Sequence, residues 1–161
     1  MTTLVPMRAE AYPAFFEEAV AFYAEENIAV GRWRPEEALG LSRGETESML
    51  SQGLETPDQH IFEIFSAVEQ EPVGYVWVAA MPSGTAKVAF VVQLKIHPES
   101  QRQGHGRAAL NLVEQHARHM GLVGMALQVF AHNPGARALY ESVGYKVSSF
   151  NMIKPFAEND V

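Results

Sequence analysis

The sequence predicts an α/β chain: one mixed β-sheet with helices on both faces, in the order β-α-α-β-β-β-α-β-α-β. Three observations lead there. Two segments with apolar residues at helical spacing, 11–28 and 35–52, follow a short opening strand. Three runs suited to strands, 60–68, 73–81 and 89–96, come next, with turn-forming residues between them. From there to residue 153 helix and strand alternate, and the helices open on a glycine pair or on an asparagine followed by proline.

Taken in order, residues 3–8 read as the first strand. Ala14, Phe15, Ala19, Phe22 and Tyr23 then recur at helical spacing, with Pro13 near the start, which predicts a helix over 11–28. Arg32-Trp33-Arg34-Pro35 breaks it, and Pro35 begins a second helix reaching residue 52, with Leu39, Met49 and Leu50 as its apolar contacts. Gly53-Leu54-Glu55-Thr56-Pro57-Asp58 is a turn-rich loop. Gln70-Glu71-Pro72 supplies the hairpin turn between strands 60–68 and 73–81, and Pro82-Ser83-Gly84 the next turn. Ala89-Phe90-Val91-Val92-Gln93-Leu94-Lys95-Ile96 is a strand that ends at His97-Pro98. Residues 108–117 have helical spacing, and 124–130 read as a buried strand. Asn133 is a good N-cap, Pro134 fits the first helical position and Gly144 stands where a C′ glycine belongs. The last helix is therefore placed over 134–143, with Ala136, Tyr140 and Val143 along one face, and a final strand over 145–153.

A chain of 161 residues is expected to form one domain, 1–161, and to bury a core without staples. With 47% hydrophobic and 19% charged residues it falls in the ordinary globular class. The absence of cysteine excludes disulfides, thiolate metal sites and a cysteine acyl-enzyme. The N-terminus lacks a basic segment followed by an apolar one, so no signal peptide is expected. The longest apolar runs, such as 76–81, are far short of a membrane span. A cytoplasmic protein without a membrane partner is the resulting expectation.

Charge is uneven along the chain. Residues 1–71 carry 14 acids against 4 basic residues, and residues 72–161 carry 5 acids against 8. A basic C-terminal half suits a ligand bearing several phosphates, and an acidic N-terminal half suits a cationic acceptor. Equally, Glu17, Glu18, Glu25, Glu26, Glu36 and Glu37 read as solvated helix faces. No basic stripe exists to displace counterions, which argues against nucleic-acid binding.

The most informative stretch is Gln101-Arg102-Gln103-Gly104-His105-Gly106-Arg107, because a strand precedes it and a helix follows. Glycines let the backbone approach a ligand closely. The first N–H groups of the helix lack internal partners and sit at its positive end, so a diphosphate can satisfy both needs. Gly104-His105-Gly106-Arg107-Ala108-Ala109 also fits a dinucleotide fingerprint. That motif wants its first glycine tight against the strand, whereas residues 97–103 intervene here, and the next strand offers Gln128 rather than an acid for a ribose. A mononucleotide P-loop is excluded because His105 and Arg107 stand where lysine and a magnesium-binding hydroxyl are needed. A glycine-containing turn with no ligand is the plain alternative.

Leu94-Lys95-Ile96-His97-Pro98, then Q-x-x-G-x-G, then Asn133 and Leu139-Tyr140 ahead of Gly144-Tyr145, resembles the acetyl-CoA half of the GNAT superfamily of N-acetyltransferases over residues 72–153. Tyr23-Ala24-Glu25-Glu26 and Gly53-Leu54-Glu55-Thr56-Pro57 resemble a bacterial subgroup of it. The resemblance implies a GNAT-like sheet and acetyl-CoA as cosubstrate. It implies that Leu94, Lys95 and Ile96 offer backbone groups to the pantetheine arm and the thioester oxygen. Arg102, Gln103, Gly104, His105, Gly106 and Arg107 would hold the diphosphate, chiefly through backbone N–H groups.

By the same resemblance Tyr140 is the general acid that protonates the departing thiolate, the alternative being a core tyrosine. Asn133 would contact the pantetheine amides while serving as N-cap. Several family members carry a basic glutamate where this chain has Gln128, so the base stays open among His60, Glu63, His97, His132 and a chain of waters. His116 and His119 lack a third ligand and read as solvated surface rather than a metal site. The expected activity is transfer of acetyl to an amine acceptor, with a non-catalytic acyl-CoA-binding module as the alternative. Many relatives are dimers, which makes a homodimer an expectation too.

Overall fold

In the computed structural model, which describes residues 1–156, five strands lie side by side in chain order. They are β1 (Thr2–Pro6), β2 (Gln59–Ser66), β3 (Glu71–Ser83), β4 (Ala86–Ile96) and β5 (Met125–Leu127). β1 to β4 pair antiparallel, and β5 joins β4 in parallel, which makes the sheet mixed as expected. The helices are α1 (Tyr12–Ala29), α2 (Pro35–Met49), α3 (His105–His119) and α4 (Pro134–Ser142). None of the described helices is long and apolar enough to cross a membrane.

Alternation along the strands divides the core in two. Phe62, Ile64, Val76, Val78, Ala89 and Val91 face Ala109, Leu110 and Val113 of α3, with Leu139, Tyr140 and Val143 packed at the margin. Ile61, Tyr75 and Trp77 face Phe15 and Ala19 of α1. The Phe15 ring meets Tyr75 edge-on at 4.9 Å between centroids and Trp77 at 6.0 Å, an arrangement that aromatic quadrupoles favour. Polar groups buried here are paired: Trp77 Nε1 donates to Gln59 Oε1 at 2.7 Å, and Gln93 joins the Tyr75 hydroxyl to the Ala19 carbonyl. Buried Ser42 of α2 donates to the Val20 carbonyl at 2.6 Å, bringing α2 close against α1.

Two departures from regular pairing open the sheet. Trp77 faces Gln93 while Val78 faces Val91, so Val92 is an extra residue in β4, a bulge that bends the strand. β5 pairs with β4 only at Ala89, Phe90 and Val91, so the two strands separate where the bulge begins. The buried strand expected over 124–130 is accordingly only three residues long, and 128–130 runs on without a partner strand.

The strand expected over 145–153 does not form among the described residues. Its residues suit a strand, but a strand needs a partner edge, and β5 is too short to supply one. Val147, Phe150, Met152 and Ile153 are exposed in consequence. Smaller corrections follow turn geometry. The first hairpin turns over 67–70, with Gln70 at φ 57°, so Glu71 and Pro72 belong to β3 rather than to the turn. The next turn falls at Gly84-Thr85, and Pro82 and Ser83 remain in the strand.

Gly74 is required by packing rather than by its backbone angles. A Cβ there would collide with the Lys95 carbonyl oxygen and stand 3.0 Å from the Ile96 Cα. Backbone cannot swing aside as a side chain does. Gly74→Ala is expected to lower stability by about 1–3 kcal/mol, the range for overpacking. Chemical denaturation checks it: an unchanged midpoint and slope would mean that the β3–β4 ladder tolerates the methyl group.

Candidate active site

The opening between β4 and the chain after β5 is a cavity of about 320 Å³. Phe90, Val91, Val92, Gln93 and Leu94 of β4 form one wall, and Leu127 to Phe130 the other. Phe22, Tyr23 and Glu26 of α1 close one side with Glu45, Thr46 and Met49 of α2, while Asn133, Ala136 and Tyr140 close the opposite side. Beyond Val91 no strand among the described residues lies beside this edge of β4, so its backbone groups face the opening.

The end of β4 leads to the glycine loop. After a single 3-10 turn over Pro98–Ser100, Arg102 adopts φ 64° and Gly104 φ 86°, and α3 begins at His105 with Gly104 as its cap. The glycine pair thus opens the helix as expected, with Gly106 in its first turn. The first internal helix bond runs from the Ala108 N–H to the Gly104 carbonyl at 3.1 Å, so the N–H groups ahead of it lie outside the helix ladder. At Gly106 a Cβ would stand 3.3 Å from Leu139 Cδ2 and 4.0 Å from Ile96 Cγ1. A side chain there would wedge α3 away from α4 and from the end of β4.

Side chains around the loop are mostly engaged elsewhere. His105 Nδ1 lies 2.9 Å from Thr2 Oγ1, so this ring turns into the fold toward β1 and leaves only its N–H for a ligand. Arg107 donates to Ser142 Oγ at 2.9 Å and ties α3 to α4. Gln103 donates to the Glu99 carbonyl at 3.4 Å. Lys95 Nζ is 3.1 Å from Glu18 Oε2 on α1, so its side chain points away from the loop while its backbone stays on β4. Arg102 is exposed.

Asn133 Oδ1 accepts the Ala136 N–H at 3.2 Å, which makes it the N-cap of α4, and it also lines the cavity. Tyr140 lies two turns further along α4 and lines the cavity while packing at the edge of the core, so access to the cavity and a packing role coexist in one position. Burial raises the Tyr140 phenol above its ordinary range, and the Glu26 carboxylate raises it further. Its ring meets Tyr145 at 5.8 Å, and burial chiefly pushes that phenol up to about 12.

The four side chains considered as bases are scattered. Glu63 is 7% exposed and gripped by Arg8 at 2.9 and 3.0 Å, in a separate hollow with Val5, Phe65 and Pro72. The Arg8 guanidinium holds its carboxyl below the ordinary range, which makes it a poor proton acceptor. His60 meets His116 edge-on, as Phe62 does, on the α3 face of the sheet, and burial lowers the His60 pKa. His97 follows the end of β4, its N–H on the Val73 carbonyl at 2.8 Å. His132 alone reaches the cavity, at one remove: its Nε2 lies 3.2 Å from Glu26 Oε2.

Glu26 therefore does not belong with the solvated glutamates of α1; its side chain is 14% exposed. A signal for it existed. Phe22 and Glu26 stand four apart on α1 and Tyr23 three from Glu26, so all three share the face that closes the cavity. Glu45, Met49, Trp77 and Met81 also line it, and nothing in their spacing marked them beforehand.

Comparison with known proteins shows the family and the fold. Residues 27–145 match the acetyltransferase (GNAT) family. The chain is 34% identical over 151 residues to the uncharacterized N-acetyltransferase YycN of Bacillus subtilis, covering 94% of this chain and 96% of that protein. It is 31% identical to YdgE of the same organism, also an uncharacterized N-acetyltransferase, over 94% and 96% of the two chains. The crystal structure of YycN superposes with a TM-score of 0.91 at 33% identity, over 98% of this chain and all of that one.

Proposed function

The chain belongs to the acetyltransferase (GNAT) family, and from that premise we propose that it is an acetyl-CoA-dependent N-acetyltransferase. It moves the acetyl group directly to a primary amine within a ternary complex. The observation that carries this reading is convergence: the free edge of β4 and Tyr140 line one opening, and β4 runs on from it through a short turn to the glycine loop that caps α3.

Residues of this chain fit acetyl-CoA. The N–H groups of His105, Gly106 and Arg107, at the positive end of α3, suit a diphosphate, and open space surrounds Gly104 at the helix cap. Leu94, Lys95 and Ile96 present backbone groups along the unpaired edge for the amides of the pantetheine arm, with Asn133 across from them. A backbone N–H of β4 polarises the thioester oxygen, where charge develops during attack. When bound, acetyl-CoA supplies the activated acetyl group. Tyr140 supplies the proton that the thiolate needs, and its raised pKa keeps the phenol protonated until then. With no cysteine in the chain, an acetyl-cysteine carrier is excluded.

A second reading, a non-catalytic acyl-CoA-binding module, draws support from Gln128, which lines the cavity and cannot accept a proton. Release of free CoA from acetyl-CoA across a panel of primary amines separates the two, read with a thiol reagent that the cysteine-free protein does not consume. Initial-rate plots at varied acetyl-CoA and amine are expected to intersect. Parallel lines with a trapped acetyl-protein adduct would overturn direct transfer, and CoA binding without release on any amine would favour the module.

A further inference from the structure

We propose that Glu26 anchors the ammonium of the acceptor and takes its proton, with His132 as the outward relay, and that the acceptor is a monoamine with an apolar body. This rests on the acetyl-transfer reading above and names its substrate class.

Two carboxylates reach the α1–α2 wall of the cavity, and among the described residues only one is balanced by a fixed cation. Glu45 accepts the Tyr23 hydroxyl at 2.8 Å and pairs with Arg32 at 3.5 Å. Arg32 is held in turn by Asn27 Oδ1 at 3.0 Å and stacks over Trp33 at 5.0 Å. Glu26 is more buried, and among the described residues its ion-pair partner is His132. A largely buried carboxylate without a permanent cation is costly, and a ligand ammonium relieves that cost. Phe22 and Met49 share this wall with Tyr23 and Thr46, whose hydroxyls are taken up by Glu45 and by the Ser42 carbonyl, and Trp77 and Met81 of β3 line the cavity beside them. Such a site has one place for a positive charge and an apolar enclosure for the rest of the molecule, which suits an alkyl- or arylalkylamine better than a polyamine.

Glu26 also lies close enough to Tyr140 to raise its phenol, so base and acid border the same space. The proton ledger closes. The ammonium gives one proton to Glu26 and becomes a nucleophile. Its lone pair forms the C–N bond, and the C–S bond breaks with its electrons going to sulfur. The thiolate takes the Tyr140 proton, and the second proton from nitrogen restores the phenol. The proton on Glu26 leaves through His132, 38% exposed, for a net release of one.

The test compares wild type with Glu26→Gln on hexylamine, spermidine and trifluoroethylamine, the last being neutral at assay pH. Wild type is expected to prefer hexylamine to spermidine by about tenfold or more in kcat/KM. Glu26→Gln is expected to lose a factor of about 10² to 10⁴ on hexylamine while its stabilisation by CoA is unchanged. That deficit is expected to shrink about tenfold or more on trifluoroethylamine, which needs no first deprotonation. Calorimetry with CoA present gives a readout apart from turnover: hexylamine binding weakens about tenfold in the variant, and hexanol binding does not change. Glu26→Asp, which keeps the charge, falls between, and it serves if the glutamine variant does not fold. Full activity of Glu26→Gln on hexylamine, or equal hexylamine binding by both proteins, overturns the anchor. A preference for spermidine overturns the monoamine assignment. Wild type that binds CoA yet acetylates no amine defeats the transfer reading and the base with it, and the calorimetric difference then decides the anchor alone.

Discussion

Tyr140→Phe is expected to lower kcat by a factor of about 10² to 10⁴, or roughly 3–5 kcal/mol of transition-state stabilisation, with little change in Tm or in acetyl-CoA binding. The substitution removes one hydroxyl and keeps the ring. The ring packs at the margin of the α3-side core and against Tyr145, and those contacts survive. What disappears is a proton donor held protonated by burial and by Glu26. The two proton-handling variants are expected to part company on trifluoroethylamine. A neutral amine relieves loss of the base but not loss of the acid, because the thiolate still departs unprotonated. Steady-state kinetics on hexylamine and trifluoroethylamine check this. Full activity in Tyr140→Phe would return the residue to a packing role.

Gly104→Glu is expected to abolish the stabilisation that CoA confers. At a hundred times its dissociation constant a ligand stabilises by about 2.7 kcal/mol, so the wild-type shift is readily measured by thermal unfolding. Gly104 caps α3 at φ 86° with open space around the position where a Cβ would stand. A glutamate there brings a carboxylate to the end of the helix where a diphosphate is proposed to bind. Strain is a separate effect, since a left-handed angle costs a non-glycine residue about 1–2 kcal/mol. Gly104→Ala isolates it: its Tm is expected to fall while the shift with CoA persists. ATP and NAD are expected to stabilise the wild type clearly less than CoA does. Stabilisation by ATP equal to that by CoA would overturn the assignment of the loop to CoA, and a CoA shift retained in Gly104→Glu would move the diphosphate elsewhere.

Local physics made much of this protein legible from its residues. The glycine loop, the Asn133-Pro134 cap and the helical spacing of α1 each need only a few neighbouring residues to declare themselves, and each stands where it was expected, within a few residues. Tyr140 is similar, because its place on α4 follows from the cap and the period. The strand expected over 145–153 shows the limit of such reasoning. Its side chains suit a strand, but pairing belongs to the neighbour, and β5 ends at Leu127. Gly74 shows the same limit from the other side: nothing local distinguishes it, and its need to be glycine comes from Lys95 on the next strand.

The sequence by itself determined the kinds and order of the elements from β1 to α4 and the glycine loop ahead of α3, since torsional preference, capping and periodicity act over a handful of bonds. Tertiary structure alone decided what each charged side chain is for. Glu63 read as a candidate base and Glu26 as part of a solvated helix face, yet Arg8 claims the first, while the second lines the cavity with His132 as its ion-pair partner among the described residues. Helical spacing puts Glu26 on one face with Phe22 and Tyr23, but that this face closes a cavity is decided by the packing. A carboxylate's proton affinity and its use depend on burial and on which cation lies within a few ångströms, and those are properties of partners drawn from opposite ends of the chain.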